Sequence, residues 1–322
     1  MSHSSRKWFI GTMGALIAVS VAGVMLYVMN REQPYDSSFD AKVADPVYQT
    51  NGPVVLYDEG HLNTHTATGG YKPLADLIRS DGYDLRVTRQ PLSGETLEGV
   101  AVLVVVLPRG SNDANDSSAF ADWEIAAVDA WVRGGGSLLL VTDHWPYGAA
   151  AALLTQRFGV GMGKGLVEDP EHHDANRGAS HLVFSTDNGL LKEHPIVRGR
   201  SASERIDRVL TFTGQSMSGP PEAVPFLALS DAAIEYPPST PQVEKDGGDV
   251  RVSMEYGEAV SAGGRAQGIA MELEKGRVVI LGEAGMLRAQ REGDGDRVGM
   301  NVPEYQNRQL AINIMHWLSR VL

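Results

Sequence analysis

Val100 to Pro108, VAVLVVVLP, carries no polar side chain on either face. A strand of that kind needs apolar cover on both sides, which is the environment of a central strand in a parallel sheet flanked by helices. The flanking sequence keeps to that plan. Short apolar runs recur at Val54 to Asp58, Leu85 to Thr88, Ser137 to Asp143, Val209 to Thr213, Phe226 to Leu229, Gly268 to Glu272 and Arg277 to Gly282. Between them lie helical patterns: a stretch opened by Pro73 with Leu74, Leu77 and Ile78 on one stripe, a second with Ile125, Val128 and Val132 stopped by three glycines, Ala149 to Phe158, and a last one with Leu310, Ile314, Trp317 and Val321. Strand and helix in alternation predict an α/β fold: a wound, mostly parallel sheet with helices on both faces.

A different pattern precedes it. Trp8 to Met29, WFIGTMGALIAVSVAGVMLYVM, holds no charge, and at ~1.5 Å per helical residue it extends about 33 Å, enough to cross the hydrocarbon layer. The apolar run is longer than that of a cleaved signal peptide, and no small-x-small site follows it. Arg6 and Lys7 lie before the span while Arg31 is balanced by Glu32, so the positive-inside bias places residues 1–7 in the cytoplasm and the remainder outside. The expected organisation is a tail at 1–7, a single transmembrane anchor at 8–29 in a bacterial inner membrane, a linker at 30–50 rich in polar residues and proline, and an extracytoplasmic α/β domain at 51–322. Two stretches fit the domain poorly. Residues 159–180, rich in glycine and charge, read as an extended loop or lid, and residues 232–265 as an irregular insertion or exposed hairpin.

The net charge of −12 and the absence of any Lys/Arg-rich run argue against a nucleic-acid partner, which would need a basic face to replace phosphate counterions. With no cysteine in the chain, disulfides, thiolate metal sites and a cysteine nucleophile are excluded.

In a wound sheet, ligands collect outside the carboxyl ends of the strands. Asp58, Glu59, His61, Asn63 and His65 follow the first strand, Asp143 and His144 the fourth, and Glu283 the last. The loop between Gly60 and Gly70 is also longer than the two to six residues or so usual between strand and helix, a length associated with function. A plainer reading stays open, in which Asp58 and Glu59 cap backbone amides and His61, Asn63 and His65 satisfy one another. The final helix presents its amino terminus at the same edge, bringing Asn301 and Asn307 near the crevice. A divalent ion such as zinc, held by His61, His65 and His144, is a further reading, although the glutamate of an HExxH motif is missing.

Other signatures fail. Gly161, Gly163 and Gly165 alternate without a GxxxxGK[ST] sequence, and the run around Ser216 lacks a GxSxG elbow. His316, with Gln309, Asn313 and Arg320, reads as a solvated helix face, and His194 before Pro195 as part of a turn. Arg198, Arg200, Arg205 and Arg208 read mostly as paired with Glu193, Glu204 and Asp207, a carboxylate or phosphate contact by one of them staying open.

Taken together, YDEGHLNTHT, GGGSLLLVTDH, FSTDNGLLKEHPIVRGR, DRVLTFTGQSM, GRVVILGEAGMLRAQ and GMNVPEYQNRQLAINIMHWLS give residues 53–322 a resemblance to the class I glutamine amidotransferase-like superfamily. More closely, the chain resembles a membrane-anchored bacterial branch related to the extracytoplasmic parts of gliding-motility ABC-transporter proteins. The resemblance implies a flavodoxin-like fold, a crevice kept for recognition, and an ABC transporter or other envelope protein as partner. Within its motifs stand Asp58, Glu59, His61, His65, Glu283, Asn301 and Asn307. The family's cysteine nucleophile is absent, so glutaminase chemistry is excluded.

Three functions compete. The first is a non-catalytic module binding a polar small molecule, a glycan or a partner protein. The second is a metal-dependent hydrolase with Glu59 or Glu283 as general base. The third is a structural subunit whose polar cluster braces loops.

Overall fold

The computed structural model describes residues 35–109, 118–246, 249–291 and 295–322. Its centre is a nine-stranded sheet made of β1 (Val54–Asp58), β2 (Asp84–Thr88), β3 (Val102–Val106), β4 (Ser137–Val141), β5 (Gly161–Met162), β6 (Met217–Ser218), β7 (Val224–Ala228), β8 (Ala266–Leu273) and β9 (Gly276–Leu281). The spatial order is β2-β1-β3-β4-β9-β8-β6-β5, with β7 also on β8. The first five are mutually parallel and β8 turns back antiparallel on β9. The parallel half therefore has the 2-1-3-4-5 order of flavodoxin-like sheets, with its switch point between β1 and β3. The predicted wound sheet is present, extended by an antiparallel flank.

Among the described residues five α-helices surround it: α1 (Lys72–Ser80), α2 (Asp122–Arg133), α3 (Ala152–Arg157), the single turn α4 (Pro195–Arg198) and α5 (Asn307–Leu318). Strand side chains alternate between two cores. Val55, Tyr57, Val104, Val106, Val141 and Leu281 meet Leu74, Leu77 and Ile78 of α1 and Leu310, Ile314 and Trp317 of α5. Leu56, Leu103, Val105, Leu138, Leu140 and Ile280 meet Ile125, Val128 and Val132 of α2 and Leu154 of α3. All five residues of β3 are buried, as a strand apolar on both faces requires.

Two readings depart from expectation, those of residues 159–180 and of His316. Residues 159–180 are not an open lid: Gly161–Met162 joins the sheet, Leu166–Glu168 pairs with Ile234–Tyr236, and His173–Asp174 pairs with Gly178–Ser185. The glycines serve close approach, since a Cβ at Gly163 would strike the Glu235 carboxylate and one at Gly165 the Tyr236 carbonyl. Residues 232–265 contain the hairpin Pro238–Asp246 with Asp249–Tyr256. His316 is fully buried, not solvated, and its Nε2 lies 2.7 Å from Asp81 Oδ2. The polar stripe of α5 is polar because it meets buried partners: Asn313 Nδ2 donates to the Ile196 and Glu204 carbonyls.

The predicted transmembrane anchor at 8–29 lies outside the described residues. Among the described residues no helix is long and apolar enough to cross a membrane. The later part of the predicted linker lies on the domain, with Phe39, Ala41, Val43, Val47 and Tyr48 packed against the larger core.

Candidate functional site

Because β1, β3, β4 and β9 run in parallel, their carboxyl ends share one rim. The residues that follow β1 divide there into two groups.

The first group turns toward α2. Asp58 is fully buried; its carboxylate accepts from Gly60 N–H at 3.0 Å and Asn63 Nδ2 at 3.1 Å, and both oxygens lie 2.9 Å from His61 Nδ1. The other imidazole nitrogen, Nε2, lies 3.0 Å from Glu124 Oε1. Glu124 in turn accepts from Leu92 N–H at 3.0 Å and Ala121 N–H at 2.9 Å. Burial alone would lower the His61 pKa, but the hydrogen bonds and charges of Asp58 and Glu124 outweigh it and hold the ring above its ordinary value. Burial opposes ionisation of Glu124 too, and is overcome by the Ala121 and Leu92 amides and by His61, so that carboxyl titrates below the usual range. The result is a carboxylate–imidazolium–carboxylate clamp tying the β1 loop to the start of α2. Both His61 nitrogens are engaged, which leaves no lone pair for an ion.

The second group turns inward toward β4 and β9. His65 stacks on Tyr71 with ring centroids 5.2 Å apart, and the Tyr71 hydroxyl donates to the Ala284 carbonyl at 2.6 Å. Ala284 N–H donates to Asp143 Oδ2 at 3.0 Å, and His144 N–H to Asp143 Oδ1 at 2.7 Å. Glu283 accepts from the amides of Gly285 and Met286, the latter at 2.7 Å. Burial, and then the neighbouring Asp143 charge, push the Glu283 pKa well up, and burial likewise raises Asp143. Burial, with the Arg288 charge beside it, drives His65 down to about 3, so its ring is neutral. Asp143 and Glu283 are thus neighbours at the ends of β4 and β9, and His65 reaches them through Tyr71 and Ala284, while Asp58 and His61 belong to the separate clamp.

Less buried groups stand above this floor. His144, with its side chain 24 % exposed, places Nδ1 2.9 Å from the Trp145 carbonyl and 3.5 Å from the Tyr256 hydroxyl of the hairpin. Arg109, at the end of β3, lies 6.0 Å from the Tyr147 ring.

The remaining predicted residues are structural in their contacts. Glu59 accepts from Ala67 N–H at 3.1 Å and Arg89 Nη2 at 2.5 Å. Asn307 donates to the Leu210 and Met286 carbonyls and accepts from Leu210 N–H at 3.0 Å. Asn301 lies on Asp36 and the Gln290 carbonyl, and its Oδ1 has no partner. The three imidazoles of the predicted metal set point to different surroundings: His61 to Phe120 and Glu124, His65 to Tyr71, His144 to Tyr147. Among the described residues no group of three or more His, Cys, Asp or Glu is placed to hold an ion. Sequence reasoning passed over Glu124, Tyr71 and Arg288. Glu124 carried a signal, a carboxylate three residues past the helix start that bonds back to the Ala121 amide.

No protein-family model matches the chain, and no curated protein matches it. Among solved structures, the mmIFT52 N-terminal domain is similar to it, with a TM-score of 0.56 at 14% identity over 83% of this chain and 97% of that one. A ThuA-like protein from Bacteroides uniformis matches at a TM-score of 0.43 and 14% identity over 88% and 95% of the two chains. A GMP synthase component from Thermoplasma acidophilum matches at 0.42 and 10% over 84% and 96%. The likeness to the mmIFT52 domain shows that the α/β fold is shared, and at that identity it speaks of the fold alone.

Proposed function

We propose that this chain is a non-catalytic recognition domain on a glutamine amidotransferase-like scaffold, held outside the cytoplasmic membrane by residues 8–29, which binds a polar small molecule or glycan at the carboxyl rim of its sheet. One observation carries this reading. In the clamp, Asp58, His61 and Glu124 are saturated by one another and by local amides, while the less buried rim offers Arg109, His144 and Tyr256, a set suited to carboxylate and hydroxyl recognition. The 2-1-3-4-5 strand order supports the scaffold assignment. An ABC transporter or other envelope protein fits as partner for a domain so tethered. The metal-dependent hydrolase is not favoured, because His61 has both ring nitrogens engaged.

The test is a thermal-shift and calorimetric screen of the full-length chain, in detergent, against sugars, sugar acids and hydroxy acids. A ligand that stabilises the parent, and whose effect is lost in Arg109→Ala and His144→Ala while both variants keep the parent melting temperature, supports the reading. Stabilisation unaffected by either variant, or turnover of any ligand, overturns it.

A further inference from the structure

At Tyr35 and Asp36 the chain lies on the carboxyl rim, although β1 begins at the opposite edge. The Lys72 ammonium, at the first residue of α1, is 5.9 Å from the Tyr35 ring. Asp36 N–H donates to the Ala289 carbonyl at 2.8 Å, and Asp36 Oδ2 accepts from Arg291 Nε at 2.8 Å and Asn301 Nδ2 at 3.0 Å. The start of α1 and the turns after β9 both belong to the rim.

From there the segment runs down the domain to the far end of α1. Val43 N–H donates to Ser80 Oγ at 2.8 Å, and Val47 N–H to Asp81 Oδ1 at 2.9 Å. Tyr48 N–H then donates to the Asp81 carbonyl at 3.2 Å. Partly buried Phe39, Val43 and Val47 fasten it to the core. Residues 35–48 are therefore a docked strap, held at both ends by side-chain hydrogen bonds and along its length by apolar contact.

The strap decides how a membrane-anchored domain would face. From Met29 to Tyr35 is six residue steps, which span at most about 22 Å fully extended. A compact domain of this length has a radius of gyration of roughly 18 Å and is about 48 Å across. If the whole of residues 30–50 swung free, the tether would reach about 75–80 Å and either edge of the sheet could meet the bilayer. With the strap docked, the short remainder cannot span the domain, so the edge where Tyr35 sits is the near one.

We propose that residues 35–48 hold the domain with its carboxyl rim turned toward the bilayer, so that Arg109, His144 and Tyr256 form a membrane-facing surface. This rests on the membrane-anchored reading above.

The chain has no cysteine, so single labels report one position each. Full-length Arg297→Cys places a fluorophore at the exposed start of Arg297–Gly299, the strand that pairs with Ala289–Arg291 at the rim, and Glu98→Cys places one on the exposed opposite edge, beside the start of β3. Both are reconstituted in phosphatidylethanolamine–phosphatidylglycerol vesicles carrying a headgroup nitroxide quencher. The expected result is severalfold stronger quenching at position 297 than at 98, and loss of that contrast when Asp36→Ala and Phe39→Asp release the strap. Equal quenching at both positions in vesicle-bound chain overturns the orientation alone, whereas chain left in the supernatant overturns the anchored reading and the proposal with it. If the strap variant does not fold, the contrast between the two labels in the otherwise unaltered chain still decides.

Discussion

Replacing His61 with alanine isolates the clamp between the β1 loop and α2. In the folded chain the imidazole lies 2.9 Å from Asp58 and 3.0 Å from Glu124, with the three side chains between 0 and 8 % exposed. Removing the ring leaves two buried carboxylates with no cation between them. Breaking a buried pair of this kind costs about 3–5 kcal/mol, and at ~2–4 °C per kcal/mol for a large domain the melting temperature should fall by roughly 6–20 °C. Charge and cavity are separable: adding Glu124→Gln to His61→Ala should restore part of the loss if uncompensated charge is the cause, and none of it if the void is.

The pH dependence follows from the two shifted groups. With Asp58 and Glu124 outweighing burial, folded His61 keeps a proton that the unfolded chain releases. Its contribution is complete below about pH 6.5 and is lost as pH rises through the raised folded value. Glu124 is shifted downward, so its contribution is present above about pH 4.3 and is lost as pH falls through the folded value. Urea unfolding of the full-length chain from about pH 4 to 9 should therefore show a clamp contribution largest between those limits, with the loss above about pH 6.5 missing from His61→Ala. A variant that unfolds within about 1 kcal/mol of the parent at every pH would refute the reasoning, because exposed histidine contacts are worth no more than that.

Four further outcomes follow. Glu283→Gln should flatten the pH dependence above the ordinary carboxylate range: burial and Asp143 raise the Glu283 pKa, so stability attached to its protonated form is lost as pH rises, and denaturation at several pH values would show the slope reduced in the variant. His316→Ala leaves Asp81 buried without its imidazole partner and should cost about 3–5 kcal/mol in urea unfolding. Gly163→Ala drives a methyl group into the Glu235 carboxylate and should cost about 1–3 kcal/mol with secondary structure retained by circular dichroism. Leu103→Ala empties a fully buried position in β3 and should cost about 2–5 kcal/mol.

The central sheet was legible because its evidence is local and periodic. Val102–Val106 is apolar on both faces, and each flanking helix announces one stripe, so the five parallel strands follow from pattern alone. The antiparallel flank was harder, since β5 and β6 are two residues each and owe their pairing to buried contacts around Glu235. At the site, sequence placed Asp58, His61, His65, Asp143 and Glu283 on one rim, because strand ends in a parallel sheet must converge. It could not say that Asp58 and His61 turn away from the other three, because the deciding partner, Glu124, lies 63 positions later on a helix. His316 was misread for the same reason: a polar stripe on a helix looks solvated until the buried Asp81, 235 positions earlier, is brought against it. Long-range polar pairing leaves no periodicity for a sequence to display.

The most direct test of the account is a nitrogen-15 histidine spectrum of the full-length chain, followed during titration with a ligand found in the stability screen. The account predicts that His144 resonances move with ligand while those of His61 hold still, with both ring nitrogens protonated near neutral pH. Ligand-dependent shifts at His61 with His144 unmoved, or a neutral His61 ring at that pH, would contradict it.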